Sequence, residues 1–313
     1  MSLVHCLTLL AALTAGDARP AAPRDTLALR LVARDTLASG GGGRAQAVEP
    51  SGVAVDAFGR VYVTDAALHR LQRFDAQGRW LGESGALGSD PGQLHRPAGV
   101  VPYGTLGVAV LDRENLRVVG YDLFGRLMGV LVGLADPALT DRTGRVDPVA
   151  LTSDRGGALF IADAERDRIL AFEFSGRFVR ELGGYGARAG SFRGLAGVAA
   201  APRGELVTAE RVGARVQRLD AGGRVVAAWP LDVKPGRGRL PVAVDDSARV
   251  AVADEASGRL WVFDSAGRTL ASLAGLGGPR ALAFAPDGTL LVAEAAAGRV
   301  RRFTLVPAVA RGE

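Results

Sequence analysis

Short apolar runs recur along this chain, each closed by an acidic residue and each followed by a second run that an arginine opens. Val61-Tyr62-Val63, Val108-Ala109-Val110, Phe160-Ile161-Ala162, Leu206-Val207-Thr208, Val250-Ala251-Val252 and Leu291-Val292-Ala293 are the first members of six such pairs. The acid and the arginine stand five positions apart each time: Asp65 and Arg70, Asp112 and Arg117, Asp163 and Arg168, Glu210 and Arg215, Asp254 and Arg259, Glu294 and Arg299. Runs this short, rich in branched and aromatic residues and bounded by turn residues, predict strands rather than helices. They are apolar at successive positions instead of alternating, which predicts strands covered on both faces.

Successive acids lie 47, 51, 47, 44 and 40 residues apart, the period of a four-stranded unit. Ten residues after each of the first five acids stands a second one, Asp75, Asp122, Glu173, Asp220 or Asp264, followed by Gly78-Arg79, Gly125-Arg126, Gly176-Arg177, Gly223-Arg224 and Gly267-Arg268. That spacing predicts a tight turn into a fourth strand, with glycine supplying positive φ. The pattern therefore predicts an all-β fold, a six-bladed β-propeller with four antiparallel strands per blade over residues 50–307. The sixth unit runs out at Leu305-Val306-Pro307 without its fourth strand. An open ring would expose a bare strand edge. Arg34-Asp35-Thr36-Leu37-Ala38-Ser39 is similar to Arg268-Thr269-Leu270-Ala271-Ser272, so a strand within residues 27–39 is expected to close the ring.

In this repeat the acid and arginine flank the hairpin between the second and third strands. The expectation is structural: the acid accepts turn N–H groups and faces the guanidinium. The connection Gly85-Ala86-Leu87-Gly88-Ser89-Asp90-Pro91-Gly92-Gln93-Leu94-His95-Arg96-Pro97-Ala98-Gly99-Val100, with weaker copies at 183–198 and 50–56, resembles the linker and opening strand of NHL-repeat propellers. The resemblance covers residues 50–307 and implies the propeller fold. NHL propellers bind proteins or RNA, act as sensors and occasionally as enzymes, so the resemblance narrows function little.

Residues 2–15 form an apolar run too short for a mature membrane span, with small Gly16 and Ala18 after it. This predicts a signal peptide over residues 1–18 and a secreted or periplasmic product, although positive charges before the run are missing. Residues 19–49 would then be an N-terminal segment carrying the closing strand, and 308–313 a short tail. Cleavage would remove Cys6, the one cysteine, and with it any disulfide or thiol chemistry. The formal charge of +5 rests on arginine, since Lys234 is the one lysine.

Metal and nucleophile chemistry find little support. Outside residues 1–18 the chain has His69 and His95 as its histidines, where a zinc site needs three or four N, S or O ligands. Amidating lyases similar to NHL propellers hold zinc with histidines, and gluconolactonase-like propellers hold a divalent ion with asparagines and carboxylates. Asn115 is the one asparagine here, which makes a similar lactonase site an unfavourable reading. No Gly-x-Ser-x-Gly elbow occurs, and the runs Gly40–Gly43 and Gly183-Gly184-Tyr185-Gly186 lack the lysine and hydroxyl residue of a phosphate loop. No cofactor and no metal are expected. The candidate ligand-binding residues are His69, His95, Arg96, Glu114, Tyr185, Arg193 and Arg211, on or beside the loops between blades. The functional expectation is an exported, non-enzymatic scaffold that binds a protein, peptide or envelope glycan through its loop face. A hydrolase or lyase with a channel site is the first alternative. Nucleic-acid binding, suggested by the loop arginines, is the second, and export argues against RNA as the partner.

Overall fold

The structure, a computed structural model, describes residues 28–39, 43–105 and 107–308. The expected signal peptide and the tail beyond residue 308 lie outside the described residues. No described helix is long and apolar enough to cross a membrane.

Six four-stranded antiparallel sheets form the blades of a propeller. Blade 1 opens at Pro50–Val55, blade 2 at Pro97–Tyr103, blade 3 at Pro148–Ser153, blade 4 at Leu195–Ala201, blade 5 at Val242–Val244 and blade 6 at Pro279–Phe284. These first strands line the central bore. The second strands are buried along their length, as Val61–Asp65, Val250–Asp254 and Leu290–Glu294 illustrate. Their side chains fill the spaces between blades. Phe74, Val61 and Val63 of blade 1 pack with Leu291, Ala293 and Val300 of blade 6, so the seam between last and first blades is a core like the others. The largest spacing, 51 residues from Asp112 to Asp163, accommodates the short helix Pro137–Thr143 between blades 2 and 3.

The ring closes with the N-terminal strand. Leu29–Ser39 pairs antiparallel with Arg299–Pro307 as the fourth strand of blade 6, and Leu37 and Ala38 are buried there. The likeness of Arg34–Ser39 to Arg268–Ser272 finds the right strand but not its register. Asp35 faces Arg302, whereas Ala271 faces Val262, the matching position of blade 5. Two irregularities, at Ala33/Asp35 and Thr36/Ala38, let the longer strand slide relative to its sequence counterpart.

The recurring acids hold the start of five of the six blades. Asp65, Asp112, Asp163, Glu210 and Glu294 are fully buried. Each accepts an N–H from the linker just before its own first strand: Val48 at 2.7 Å, His95 at 2.7 Å, Asp147 at 2.8 Å, Arg193 at 2.8 Å and Gly277 at 2.7 Å. The fifth position after each acid is an arginine directly across the hairpin. The residue before that arginine takes positive φ every time, at His69, Leu116, Asp167, Ala214, Gly258 and Gly298. Glycine fills this costly conformation in blades 5 and 6 alone.

Four of the six pairs are direct ion pairs: Asp112–Arg117 at 2.8 Å, Asp163–Arg168 at 2.8 Å, Glu210–Arg215 at 2.6 Å and Glu294–Arg299 at 3.1 Å. The other two are not. Arg70 turns to Glu83 and the Gln46 carbonyl, leaving Asp65 saturated by four backbone N–H groups. Arg259 pairs with Asp232, because Arg211 of blade 4 takes Asp254 at 2.6 Å. The paired arginines also cage the linkers. Arg117 donates to Ser89, Asp90 and Gln93 carbonyls, and Arg215 repeats the pattern on Ala187, Arg188 and Ser191. This shared caging is what the similar linker sequences encode. The first strands converge so closely that a Cβ on Gly52 would sit 2.7 Å from the Gly99 Cα.

Two measurements test this architecture. Deleting residues 19–40 removes the closing strand and bares the third strand of blade 6, so the melting temperature is expected to fall by at least about 10 °C. An unchanged melt would contradict closure. The second concerns acid. Burial works to raise the Glu294 pKa, but hydrogen bonds from Arg299, Arg301 and the Gly277 N–H outweigh it and hold the carboxyl below its usual range. Its stabilisation is therefore complete above the unfolded carboxyl pKa of about 4.3 and lost as pH falls through the lower folded value. Glu294→Gln should be less stable than the parent at pH 7, with the difference shrinking steadily below about pH 4.

Candidate functional site

The two ends of the bore differ. One is ringed by the turns between first and second strands. The other is ringed by the linkers and by the hairpins that carry the acids and arginines. At the linker end a recess of about 210 Å³ is lined by Glu49, Ser51, Arg96, Arg113, Glu114, Arg239, Glu255 and Arg280 among others.

Each charged residue gets there by its place in the repeat. Glu49 and Arg96 immediately precede the first-strand prolines Pro50 and Pro97. Arg113 and Glu255 immediately follow hairpin acids, where blades 1, 3 and 6 hold Ala66, Ala164 and Ala295. Arg280 is the second residue of a first strand, matching Ser51 and Ala98. Blade 4 departs from this, because Arg211 at its position after the hairpin acid is buried.

The side chains form a belt across blades. Arg280 donates from Nε at 2.8 Å and Nη2 at 2.7 Å to Glu255, and from Nη1 to Glu49. Glu49 in turn accepts from Arg96 Nη2 at 2.9 Å. Further round, Arg113 reaches Asp147 at 2.7 Å, Glu114 at 3.2 Å and the Pro148 carbonyl at 3.1 Å. Burial favours a neutral Glu49, but the hydrogen bond and charge of Arg280, with Arg96, hold its carboxyl below the ordinary range.

Arg239 occupies the centre. Its backbone is clamped by Glu255, which accepts its N–H at 2.8 Å. Its side chain crosses to the far side of the ring, where Nη1 donates to the Ala98 carbonyl of blade 2 at 2.8 Å. Enclosure by protein, reinforced by the neighbouring Arg280 charge, pushes its pKa down to about 10. It remains a cation at neutral pH.

Of the residues singled out in the sequence, four gather at this mouth. His69 and His95 rings lie 5.7 Å apart, and His69 Nδ1 accepts the Arg96 N–H at 3.0 Å. Desolvation, then the nearby His95 and Arg96, push the His69 pKa down, so the ring that accepts this bond is neutral at pH 7. Glu114 donates its N–H to the His95 carbonyl. The other three are elsewhere. Tyr185 is 79% exposed on the outer linker between blades 3 and 4, while the neighbouring Phe192 is core. Arg193 spends its N–H on Glu210, and its Nε is buried without a partner among the described residues.

Arg211 is a correction. It is 3% exposed, paired with Asp254 and donating to the Lys234, Gly238 and Arg239 carbonyls. A guanidinium so fully engaged is an internal strut, not a ligand contact. Asn115 is likewise structural, donating to Asp112 and the Gly88 carbonyl. Glu49, Arg113, Glu255 and Arg280 escaped the sequence reading, which held Arg239 only as one of the loop arginines. For Arg113, Glu255 and Arg280 the signal was present as charge at repeat positions where other blades carry uncharged residues such as Ala66, Ala164, Ala98 and Ala196. Among the described residues, no three His, Cys, Asp or Glu side chains converge as metal ligands.

No family model matches the chain. It is 27% identical over 143 residues, 44% of its length, to the brain tumor protein of Drosophila melanogaster. The match spans 13% of that relative. Among solved structures, virginiamycin B lyase from Staphylococcus aureus superposes at TM-score 0.60 with 12% identity, covering 89% of this chain and all of that one. A gluconolactonase from Xanthomonas campestris superposes at 0.62 with 16% identity, covering 89% and 90%. The likeness is one of fold.

The strut role of Arg211 is directly testable. Arg211→Ala leaves Asp254 buried with Ser257 and one backbone N–H. Removing one partner of a buried pair costs about 3–5 kcal/mol. Urea unfolding of this variant should show a loss of that size, whereas a loss below about 1 kcal/mol would return Arg211 to the surface.

Proposed function

We propose that this chain is an exported, NHL-type binding propeller whose linker face holds a protein, peptide or envelope glycan over the mouth of the bore. The observation that carries this reading is the mouth itself. Charged residues cluster where the repeat departs from its own pattern, and a repeat keeps such departures in one plane. A surface of arginines held in place by glutamates offers oriented donors with little rotamer entropy left to lose on binding. The partial match to the brain tumor protein supports the NHL assignment, and residues 1–18 support a secreted or periplasmic location.

A second reading, a hydrolase or lyase working at the same mouth, draws support from the lyase and gluconolactonase that share the fold. Fold likeness alone is a weak warrant for chemistry. Elemental analysis of purified protein showing stoichiometric calcium or zinc would favour it.

The binding reading predicts a one-faced effect. Peptide and glycan arrays probed with the purified chain should yield ligands whose capture falls at least tenfold in Arg96→Glu. The same ligands should be captured normally by Arg79→Ser, at the opposite end of the ring. Equal capture by both variants would sink the proposal.

A further inference from the structure

Four arginines line the mouth, and three are spent. Arg280 is divided between Glu255 and Glu49, Arg96 is on Glu49, and Arg113 is shared by Asp147, Glu114 and a carbonyl. Arg239 differs. Among the described residues no carboxylate lies within 4.0 Å of its guanidinium, whose one hydrogen bond is to the neutral Ala98 carbonyl. Its approach to Arg280 is unfavourable, and that repulsion is among the causes of its lowered pKa. Among the described residues its remaining N–H donors meet no protein acceptor and none is sealed from solvent, so the centre of the mouth holds a partly exposed cation with unused donors.

What lies beneath it narrows the ligand. The bore below the mouth is a cavity of about 210 Å³, walled by Val53, Val101, Val149, Val198, Leu282 and similar residues, with Arg239 and Arg280 as its charged lining. A guanidinium fork matches a planar carboxylate, and an apolar wall matches a compact hydrocarbon group attached to it. Ser51, Thr152 and the free backbone edges of the six first strands, each at the end of its sheet, add polar groups between those side chains.

We propose that Arg239 binds the carboxylate of a ligand whose short apolar group enters the bore. Two sources carry this chemistry: the C-terminus of a peptide ending in an aliphatic residue, and a free branched short-chain acid. The inference rests on the binding reading above and gives that face its ligand chemistry.

Calorimetric titration of the full chain decides it with three probes: acetyl-Ala-Leu with a free carboxylate, its C-terminal amide, and 4-methylpentanoate. At least one carboxylate is expected to bind at ligand concentrations up to about 10 mM. Binding of the amide, and binding of the carboxylate to Arg239→Gln, should each be weakened at least tenfold, with Arg239→Lys between. Binding of the dipeptide but not the free acid identifies a peptide terminus, and the reverse identifies a small acid. Equal binding of acid and amide, full binding by Arg239→Gln, or no binding of either carboxylate overturns the proposal. The acid-against-amide comparison uses the unaltered chain and holds even where a variant fails to fold. Array ligands captured equally well with amidated termini would defeat this inference while leaving the binding reading intact. Loss of all array capture would defeat that reading, and the free-acid titration would still decide the site.

Discussion

Everything in this ring depends on a carboxylate buried at the end of each second strand. A buried charge is costly unless several donors surround it. Here the donors are backbone N–H groups of the hairpin and of the incoming linker, joined in four blades by the facing arginine. Satisfying the acid thus decides where the chain must enter each blade. In five blades that fixes the first residue of the bore-lining strand against its own hairpin, and the mouth takes on a repeated geometry.

Such a scaffold turns single substitutions into a site. Blade 5 is the clearest case. Its acid, Asp254, is engaged by Ser257 and by Arg211 from the preceding blade, so the incoming N–H goes to Glu255 one residue later. The residue delivered there is Arg239 rather than a proline, and its side chain has nowhere to go but across the bore. Glu255 also receives Arg280, which ties blade 5 to blade 6 and, through Glu49, to blade 1. Local rerouting of one clamp has produced a central cation and the belt that surrounds it.

The fold was legible because it is periodic: strand length, turn glycines and the missing fourth strand all repeat or fail to repeat visibly. Partner choice was not legible. Register puts Asp65 opposite Arg70 and Asp254 opposite Arg259, but competition from Glu83, Asp232 and Arg211 settles who pairs, and those residues come from other strands and blades. The mouth was hidden for the same reason. The Arg280–Glu49 contact joins residues 231 apart, and Arg239 reaches a carbonyl 141 residues away. Aligning the repeats and looking for charge where alanine is the habit would have exposed Arg113 and Glu255 without any structure.

The two ends of the bore also meet their charges differently. At the turn end a wider opening of about 780 Å³ is lined by Asp56, Asp154, Asp245, Asp246 and Asp287 against Arg155 and Arg249. Arg155 and Asp246 meet there at 2.5 Å, linking the turns of blades 3 and 5. Both are highly exposed, so the pair adds little stability. Its acidic neighbours are met locally, Asp56 by Arg60, Asp245 by Arg249 and Asp287 by Arg34. At the linker end the pairing runs between blades instead, from Glu255 through Arg280 to Glu49 and Arg96, and among the described residues Arg239 is left without a carboxylate partner.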